Sequence, residues 1–259
     1  MTRARKLLRC LSLTAALLGG CVDIVPPPPP SLSAAEAVAL ARAALARSDT
    51  ATAVPLLRAA AEQGSTAAQL RLGILYATGD GVAADGAEAG IWLTRAVAGG
   101  SAEAEYRLGL LSERGGMGVI QDRADALAWY LRAAAQGLPV AQFRAGSLYA
   151  LSLDGRDEDY PRASALFRRA AAAGYAPAQT ALGTLYAQGR GVPQDSRVAL
   201  QWYRRAATAG EADAMAAIGD MYQRGDGVPA SPSEATAWLK RAAAAGSTSA
   251  QQRLSTPSL

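Results

Sequence analysis

The side chains in this sequence that could do chemistry are mostly carboxylates, because none of the 259 residues is a histidine. Histidine is the commonest general base and the commonest zinc ligand, so neither a Ser-His-Asp nor a Cys-His arrangement can be assembled. A pair of carboxylates could still hydrolyse a glycan, and Glu103 with Glu105 is a candidate pair. On a helix of the repeats described below, a carboxylate pair of this kind more often lies on a solvent-exposed face. We therefore expect no enzyme activity, no cofactor and no small-molecule substrate.

Two further patterns allow a ligand-binding interpretation. The acidic run Asp157-Glu158-Asp159 could bind calcium, although a run of this kind more often forms a solvated loop. Glycine-rich segments at residues 79–82, 189–192 and 225–228 have the composition of a phosphate loop. Phosphate loops follow a strand, however, and no strand pattern precedes these segments. We therefore interpret the acidic run as a solvated loop and the glycine segments as links between helices, and we expect no metal ion.

One cysteine, Cys21, has a predicted chemical role. Before it, residues 1–20 have the organisation of a secretory signal, with basic residues from Arg3 to Arg9 and an apolar run from Leu11 to Leu18. That apolar run is too short to cross a bilayer as a helix. The segment Leu18-Gly19-Gly20-Cys21 resembles the bacterial lipobox, in which the leader is cut before a diacylated cysteine. The resemblance implies lipidation of Cys21; cleavage by the ordinary signal peptidase, with a free thiol, is the alternative.

The residues around the cysteine also suggest a location. Val22 stands where lipoproteins retained in the inner membrane carry aspartate, so the resemblance implies the periplasmic side of the outer membrane. Five consecutive prolines, Pro26 to Pro30, favour a stiff polyproline II spacer of about 15 Å. We expect this spacer to hold the folded part away from the lipid headgroups.

The positive charge of the chain lies in the leader. Four of the 26 basic residues are in the first ten positions, so a chain without residues 1–20 has 22 basic and 22 acidic side chains. A protein without a basic surplus has no electrostatic footprint for nucleic acid. We expect no nucleic-acid partner.

The rest of the chain is periodic. Aligned on Leu-Gly-x-Leu-Tyr, five glycines recur at intervals of 36, 37, 37 and 36 residues. This glycine column consists of Gly73, Gly109, Gly146, Gly183 and Gly219. A fixed period in this range is typical of a solenoid. Glycine in mid-helix costs about 1 kcal/mol relative to alanine, so its repetition predicts positions where two helices approach closely.

Each repeat contains two helical patterns. Ala68, Leu72 and Leu75 recur at spacings of three and four, which predicts one buried helix face. A second helix carries alanine, tryptophan and arginine at the same spacings, and we expect its tryptophans to fill the space between successive units. These tryptophans are Trp92, Trp129, Trp202 and Trp238. The sequence therefore predicts an all-α fold, an α/α solenoid of helix-turn-helix repeats of about 36 residues.

The recurring outline, AQxxLGxLYxxGxGVxxDxxxAxxWxxRAAxxG, resembles Sel1-like repeats, the bacterial relatives of tetratricopeptide repeats. The resemblance implies an α/α superhelix that acts as an adaptor in protein complexes. Ser112 and Leu166 depart from the pattern, and the link from Leu153 to Tyr160 lacks the Gly-x-Gly-Val form, so this third link should be the least regular. The predicted organisation is a signal peptide at 1–20, a lipidated cysteine and proline-rich linker at 21–33, a degenerate capping helix pair at 34–64, five repeats at 65–246, and a capping helix with a tail at 247–259.

A stripe of apolar residues on the first helices is the candidate binding surface. If these helices line a concave wall, as in related repeats, the residue three before each column glycine and the residue after it face inward. The predicted partner-binding residues are Leu70, Ile74, Tyr106, Leu110 and Phe143. Later repeats carry Thr180, Thr184 and Asp220 at these positions, so the groove should become polar. The alternative is that the apolar residues only pack between units.

These patterns favour a membrane-anchored scaffold that binds envelope proteins of unknown identity. Lipoproteins of the same repeat class that act in alginate export suggest a role in a secretion or polysaccharide-export complex. The alternative is a periplasmic regulator that binds a sensor-kinase ectodomain. The lipobox disfavours it, because an outer-membrane anchor separates the protein from an inner-membrane kinase.

Overall fold

A computed structural model describes residues 32–116, 118–151 and 159–255. Within these residues the chain forms thirteen α-helices and no strand longer than one isolated bridge, between Gly116 and Val119. The helices are α1 Ala34–Leu45, α2 Thr50–Glu62, α3 Thr66–Thr78, α4 Gly86–Ala98, α5 Ala102–Arg114, α6 Arg123–Ala135, α7 Pro139–Ala150, α8 Asp159–Ala172, α9 Ala176–Gln188, α10 Ser196–Thr208, α11 Ala212–Arg224, α12 Pro232–Ala244 and α13 Thr248–Ser255.

The helices pack in sequence order. Each odd-numbered helix pairs with the even-numbered helix that follows it, and each even-numbered helix packs against the first helix of the next pair. Helices α3 and α5 also touch, so the first helices of neighbouring units lie side by side. The prediction of an all-α solenoid of helix pairs is confirmed.

The five column glycines each receive a large side chain from the partner helix. A methyl group on Gly183 would lie 2.8 Å from two ring atoms of Tyr203, and one on Gly109 would lie 2.5 Å from the ring of Tyr130. Leu93, Phe167 and Leu239 occupy the same place in the other units. We call each such pair a glycine socket. The sockets are Gly73 with Leu93, Gly109 with Tyr130, Gly146 with Phe167, Gly183 with Tyr203, and Gly219 with Leu239.

Alanines surround the sockets at the remaining close contacts. In the first helices, one alanine of every unit from Ala68 to Ala250 is fully buried. The alanine column of the second helices, from Ala89 to Ala235, is at most 4% exposed. Because a methyl side chain lets helix backbones approach closely, these columns set a short distance between helices.

The links repeat a common geometry. Gly79, Gly189 and Gly225 end their helices in the left-handed conformation, with φ of 73°, 69° and 79°. Two residues later, a methyl group on Gly191 or Gly227 would strike the backbone of Tyr160 or Ser196, at the start of the preceding unit's second helix. Each of these two links therefore touches the previous unit as well as joining two helices.

Side-chain caps fix where most second helices begin. The carboxylates of Asp85, Asp122 and Asp195 each accept hydrogen bonds from two backbone N–H groups of the first turn. Their own N–H groups donate to carbonyls of the preceding helix, such as that of Tyr76. The cap and the link together therefore hold the two helices of a unit in one register.

Several sequence-based predictions lie outside the described residues. These are the leader at 1–20, Cys21, the proline run and most of the third link, including Asp157 and Glu158. Asp159 is described; it opens α8 and forms an ion pair with Arg162 at 3.3 Å.

We predict that Gly183→Leu lowers the stability of the solenoid. The added side chain has no room beside Tyr203, and overpacking of this kind costs about 1–3 kcal/mol. The midpoint of thermal unfolding, followed by circular dichroism at 222 nm, should fall.

Gly90 in α4 offers the control, because the nearest atom to its would-be methyl group lies 4.0 Å away. Gly90→Ala should keep or raise the midpoint, since alanine is favoured in a helix by about 1 kcal/mol. An unchanged midpoint in Gly183→Leu would mean that the glycine column does not mark close contacts.

Candidate protein-binding surface

The five predicted partner-binding residues are all half-buried. Leu70 and Ile74 lie on α3, Tyr106 and Leu110 on α5, and Phe143 on α7. The structure thus brings the stripe to neighbouring first helices, but it divides the stripe into two groups with different surroundings.

Leu70, Ile74 and Leu110 line open cavities. The larger cavity, of about 560 Å³, lies between α1, α2 and α3, and Val38, Leu45, Leu70 and Ile74 form much of its apolar wall. A smaller cavity of about 90 Å³ lies between α3 and α5 beside Leu110, and Ile74 borders both. We call these two adjoining cavities the N-terminal groove.

Tyr106 and Phe143 have a different environment, because each packs on an aromatic ring of its own unit, and Phe143 also packs on Tyr175 at the start of the next unit. The ring centroid of Tyr106 is 5.8 Å from that of Tyr130, and that of Phe143 is 5.7 Å from Phe167 and 5.4 Å from Tyr175. Neither residue lines the N-terminal groove. Their partly exposed edges continue the surface, while much of each ring contributes to packing between helices.

A polar cluster lies under Tyr106. The Tyr130 hydroxyl donates a hydrogen bond of 2.5 Å to Glu113, and Glu113 is 3.9 Å from the Arg144 guanidinium. Burial raises the pKa of the Tyr130 hydroxyl, and its hydrogen bond to Glu113 acts in the same direction. The hydroxyl therefore stays protonated and fixes the carboxylate of α5.

The candidate carboxylate pair does not exist as a pair. Glu103 binds Arg107 at 2.7 Å on the same helix, whereas Glu105 is buried and accepts hydrogen bonds from Arg132 and Gln136 of α6. The expectation of a solvated face is wrong for Glu105, because the residue lies between two helices. Glu105 takes the place that Gln69 and Gln142 hold in other units, where each side-chain amide donates to a backbone carbonyl of the preceding helix.

The second helices carry a feature that the sequence reasoning missed. Arginine lies over tryptophan three positions earlier, with guanidinium-to-ring distances of 4.6 to 4.7 Å in four units. The tryptophans pack on clusters of preceding units, as expected, and their arginines cover the remaining ring faces. The Trp-x-x-Arg spacing was visible in the sequence. Each pair adds a favourable cation–π contact within its second helix.

The first helices are more polar in the fourth and fifth repeats, where Thr184 and Asp220 take the place of Ile74 and Leu110. A cavity of about 270 Å³ in the last repeats is bordered by Thr184, Tyr203, Asp220 and Arg224. Its charges are paired internally: Asp220 binds Arg253, and Arg224 binds Asp226 at 2.7 Å. The charged residues that line this cavity are therefore already engaged in ion pairs.

The described residues contain neither a metal-binding cluster nor a membrane-spanning helix. In these residues, no group of three or more acidic or cysteine side chains is arranged to hold a metal ion. None of the helices from α1 to α13 has both the length and the apolar character needed to span a membrane.

Comparison with known proteins agrees with the repeat pattern. The Sel1 repeat family model matches five consecutive segments, at residues 66–101, 102–138, 139–175, 176–211 and 212–247. No curated protein matches the chain.

Two solved structures are similar at about 30% identity. A protective antigen of uropathogenic Escherichia coli, with an SLR fold, is 31% identical over 85% of this chain, with a TM-score of 0.79. The chain spans 48% of that antigen. A Sel1 repeat protein from Oxalobacter formigenes is 30% identical, with a TM-score of 0.76, and the match covers 84% of this chain and 86% of that protein.

Sel1 repeat proteins are protein-interaction scaffolds, and the groove and packing described above agree with that role. The five matched segments cover most of the described chain and coincide with its helix pairs from α3 to α12. This chain therefore belongs to the Sel1 repeat family.

Proposed function

We propose that this protein is a lipid-anchored scaffold on the periplasmic side of the bacterial outer membrane, where it holds a protein of a secretion or polysaccharide-export complex through its N-terminal groove. The groove carries the proposal. It is an apolar surface left open in a family of protein-binding repeats.

The lining of the groove suits a segment of a partner protein. Leu70, Ile74 and Leu110 lie on two adjacent helices, and their half-buried side chains form a strip that crosses from one cavity into the next. Apolar strips open to solvent are the usual anchors for a partner helix or an extended peptide.

The anchor rests on the sequence around Cys21, which lies outside the described residues. The lipobox, the following Val22 and the proline spacer support the outer-membrane location. Three acyl chains would make attachment effectively stable, because a single chain is already marginal and each buried methylene adds about 0.8 kcal/mol.

We predict that Cys21→Ser releases the protein from the outer membrane, because serine cannot carry the thioether-linked lipid. Membrane fractionation followed by immunoblotting should move the variant out of the outer-membrane fraction. Cys10→Ser, in the leader, is the control and should leave the distribution unchanged. Retention of Cys21→Ser in the outer membrane would show that the lipid is not the anchor.

We predict that Ile74→Ala with Leu110→Ala abolishes recovery of the partner in a crosslinked pull-down from intact envelopes. Truncation of an interface anchor typically costs about 2 kcal/mol or more, which is about thirtyfold in affinity. The recovered proteins are compared by quantitative mass spectrometry with those captured by the parent.

The matched control truncates two isoleucines away from the groove, Ile91 at 49% and Ile120 at 87% exposure. Ile91→Ala with Ile120→Ala should leave partner recovery at the parental level. Circular dichroism must show that both variants keep the parental helical signal. Equal recovery by the groove variant and the parent would refute the groove as the binding surface.

A further inference from the structure

The charges around the N-terminal groove are unbalanced. The residue two before each column glycine is arginine in the first three repeats, at Arg71, Arg107 and Arg144, and alanine in the last two, at Ala181 and Ala217. Arginine therefore lies beside the stripe in the first three repeats, where the stripe residues are apolar. It disappears where the stripe becomes polar.

The acids on the first three odd-numbered helices are all engaged. Glu36 on α1 accepts hydrogen bonds from Ser33, and α3 carries no acidic residue. On α5 the three glutamates bind internal partners: Glu103 binds Arg107, Glu105 binds Arg132, and Glu113 binds Tyr130 and Arg144. No carboxylate of these helices is left to neutralise the groove.

Three arginines at the groove have no such partner. Arg42 and Arg71 line the larger cavity, and Arg114 lines the smaller one. All three are exposed, and within residues 32–116, 118–151 and 159–255 none forms an ion pair, a hydrogen bond or a ring contact. The groove thus combines an apolar floor with three unpaired cations at its edge.

We propose that the occupant of the N-terminal groove is an acidic amphipathic segment of a partner protein. Its apolar side chains enter the cavities at Leu70, Ile74 and Leu110, and its carboxylates meet Arg42, Arg71 and Arg114. Arginine is suited to this task because its planar guanidinium binds a carboxylate through two parallel hydrogen bonds. The proposal rests on the proposed function and adds the chemistry of the partner.

The apolar floor distinguishes this partner from other polyanions. An acidic polysaccharide would satisfy the arginines but would leave Ile74 and the leucines against a hydrated chain. A peptide with both acidic and apolar side chains matches both parts of the surface. Complementary charge should speed association and select against basic segments.

The test begins with peptide selection on the full-length chain in a mild detergent. A display library of random peptides is selected against the immobilised protein, and the enriched peptides are sequenced. The proposal expects peptides rich in aspartate and glutamate, with apolar residues interspersed. Enrichment of neutral or basic peptides would overturn it.

Affinities of the enriched peptides are then measured by fluorescence anisotropy. The triple variant Arg42→Gln, Arg71→Gln, Arg114→Gln should bind at least about tenfold more weakly than the parent. The control triple variant is Arg123→Gln, Arg168→Gln, Arg197→Gln, which removes the same charge from exposed arginines of the second helices and should change affinity less than about twofold. The difference between the two variants should shrink between about 0.05 M and about 0.5 M salt.

Equal weakening by both triple variants, or no weakening by either, would contradict the proposed charge recognition. Stronger binding of polygalacturonate than of any enriched peptide would also overturn the proposal, in favour of a glycan. If binding depends on Ile74 and Leu110 but not on the arginines, the groove remains the binding surface and only the acidic partner is wrong. If recovery of the envelope partner in the pull-down is unchanged in both the Ile74/Leu110 variant and the arginine triple variant, the proposed function itself fails.

Discussion

The structure depends on one steric constraint, the glycine socket. Each first helix has a glycine in mid-helix, and a leucine, phenylalanine or tyrosine of the next helix occupies the space beside it. Glycine costs about 1 kcal/mol in a helix interior, but it opens a hole that a large apolar side chain can fill at close range. Because the socket recurs in all five repeats, the same helix pair is rebuilt along the chain, and its neighbours bury the faces that one unit alone would expose.

The two helices of a unit contribute different side chains to the packing around the socket. The second helices insert the socket residue, pack tryptophan on the preceding unit and cover that ring with arginine. In four of the five repeats the tryptophan and the arginine that covers it contribute to this packing, while other second-helix side chains, such as those of Thr94 and Arg168, are exposed. The first helices contribute the column glycine and buried apolar side chains such as Leu72 and Leu182, while the half-buried positions beside them differ between repeats. The differences between Leu70 and Thr180, or Arg71 and Ala181, lie on that variable face and give the two halves of the molecule distinct chemistry.

The sequence allowed much of this to be predicted because the fold is periodic. The glycine column located the close contacts, and the helix pairs followed from apolar spacing. The socket residues were missed, although a large side chain follows the tryptophan column in every unit, as Leu93 and Tyr130 show. The contacts of Tyr106 and Phe143 could not be predicted either, because residue spacing fixes the orientation of a helix face only to within one or two neighbouring positions. The burial of Glu105 could not be predicted from the sequence, since its partners are Arg132 on α6 and Gln136 at the end of that helix.

We propose that partners bind the N-terminal groove and not the second-helix face. Site-specific photocrosslinking in living cells tests it most directly, with a benzophenone amino acid placed at Ala67 in the groove or at Thr94 on α4, both of them exposed. Binding at the N-terminal groove predicts a covalent partner adduct from position 67 and none from position 94. Adducts from position 94 alone, or the same adduct at equal yield from both positions, would contradict it.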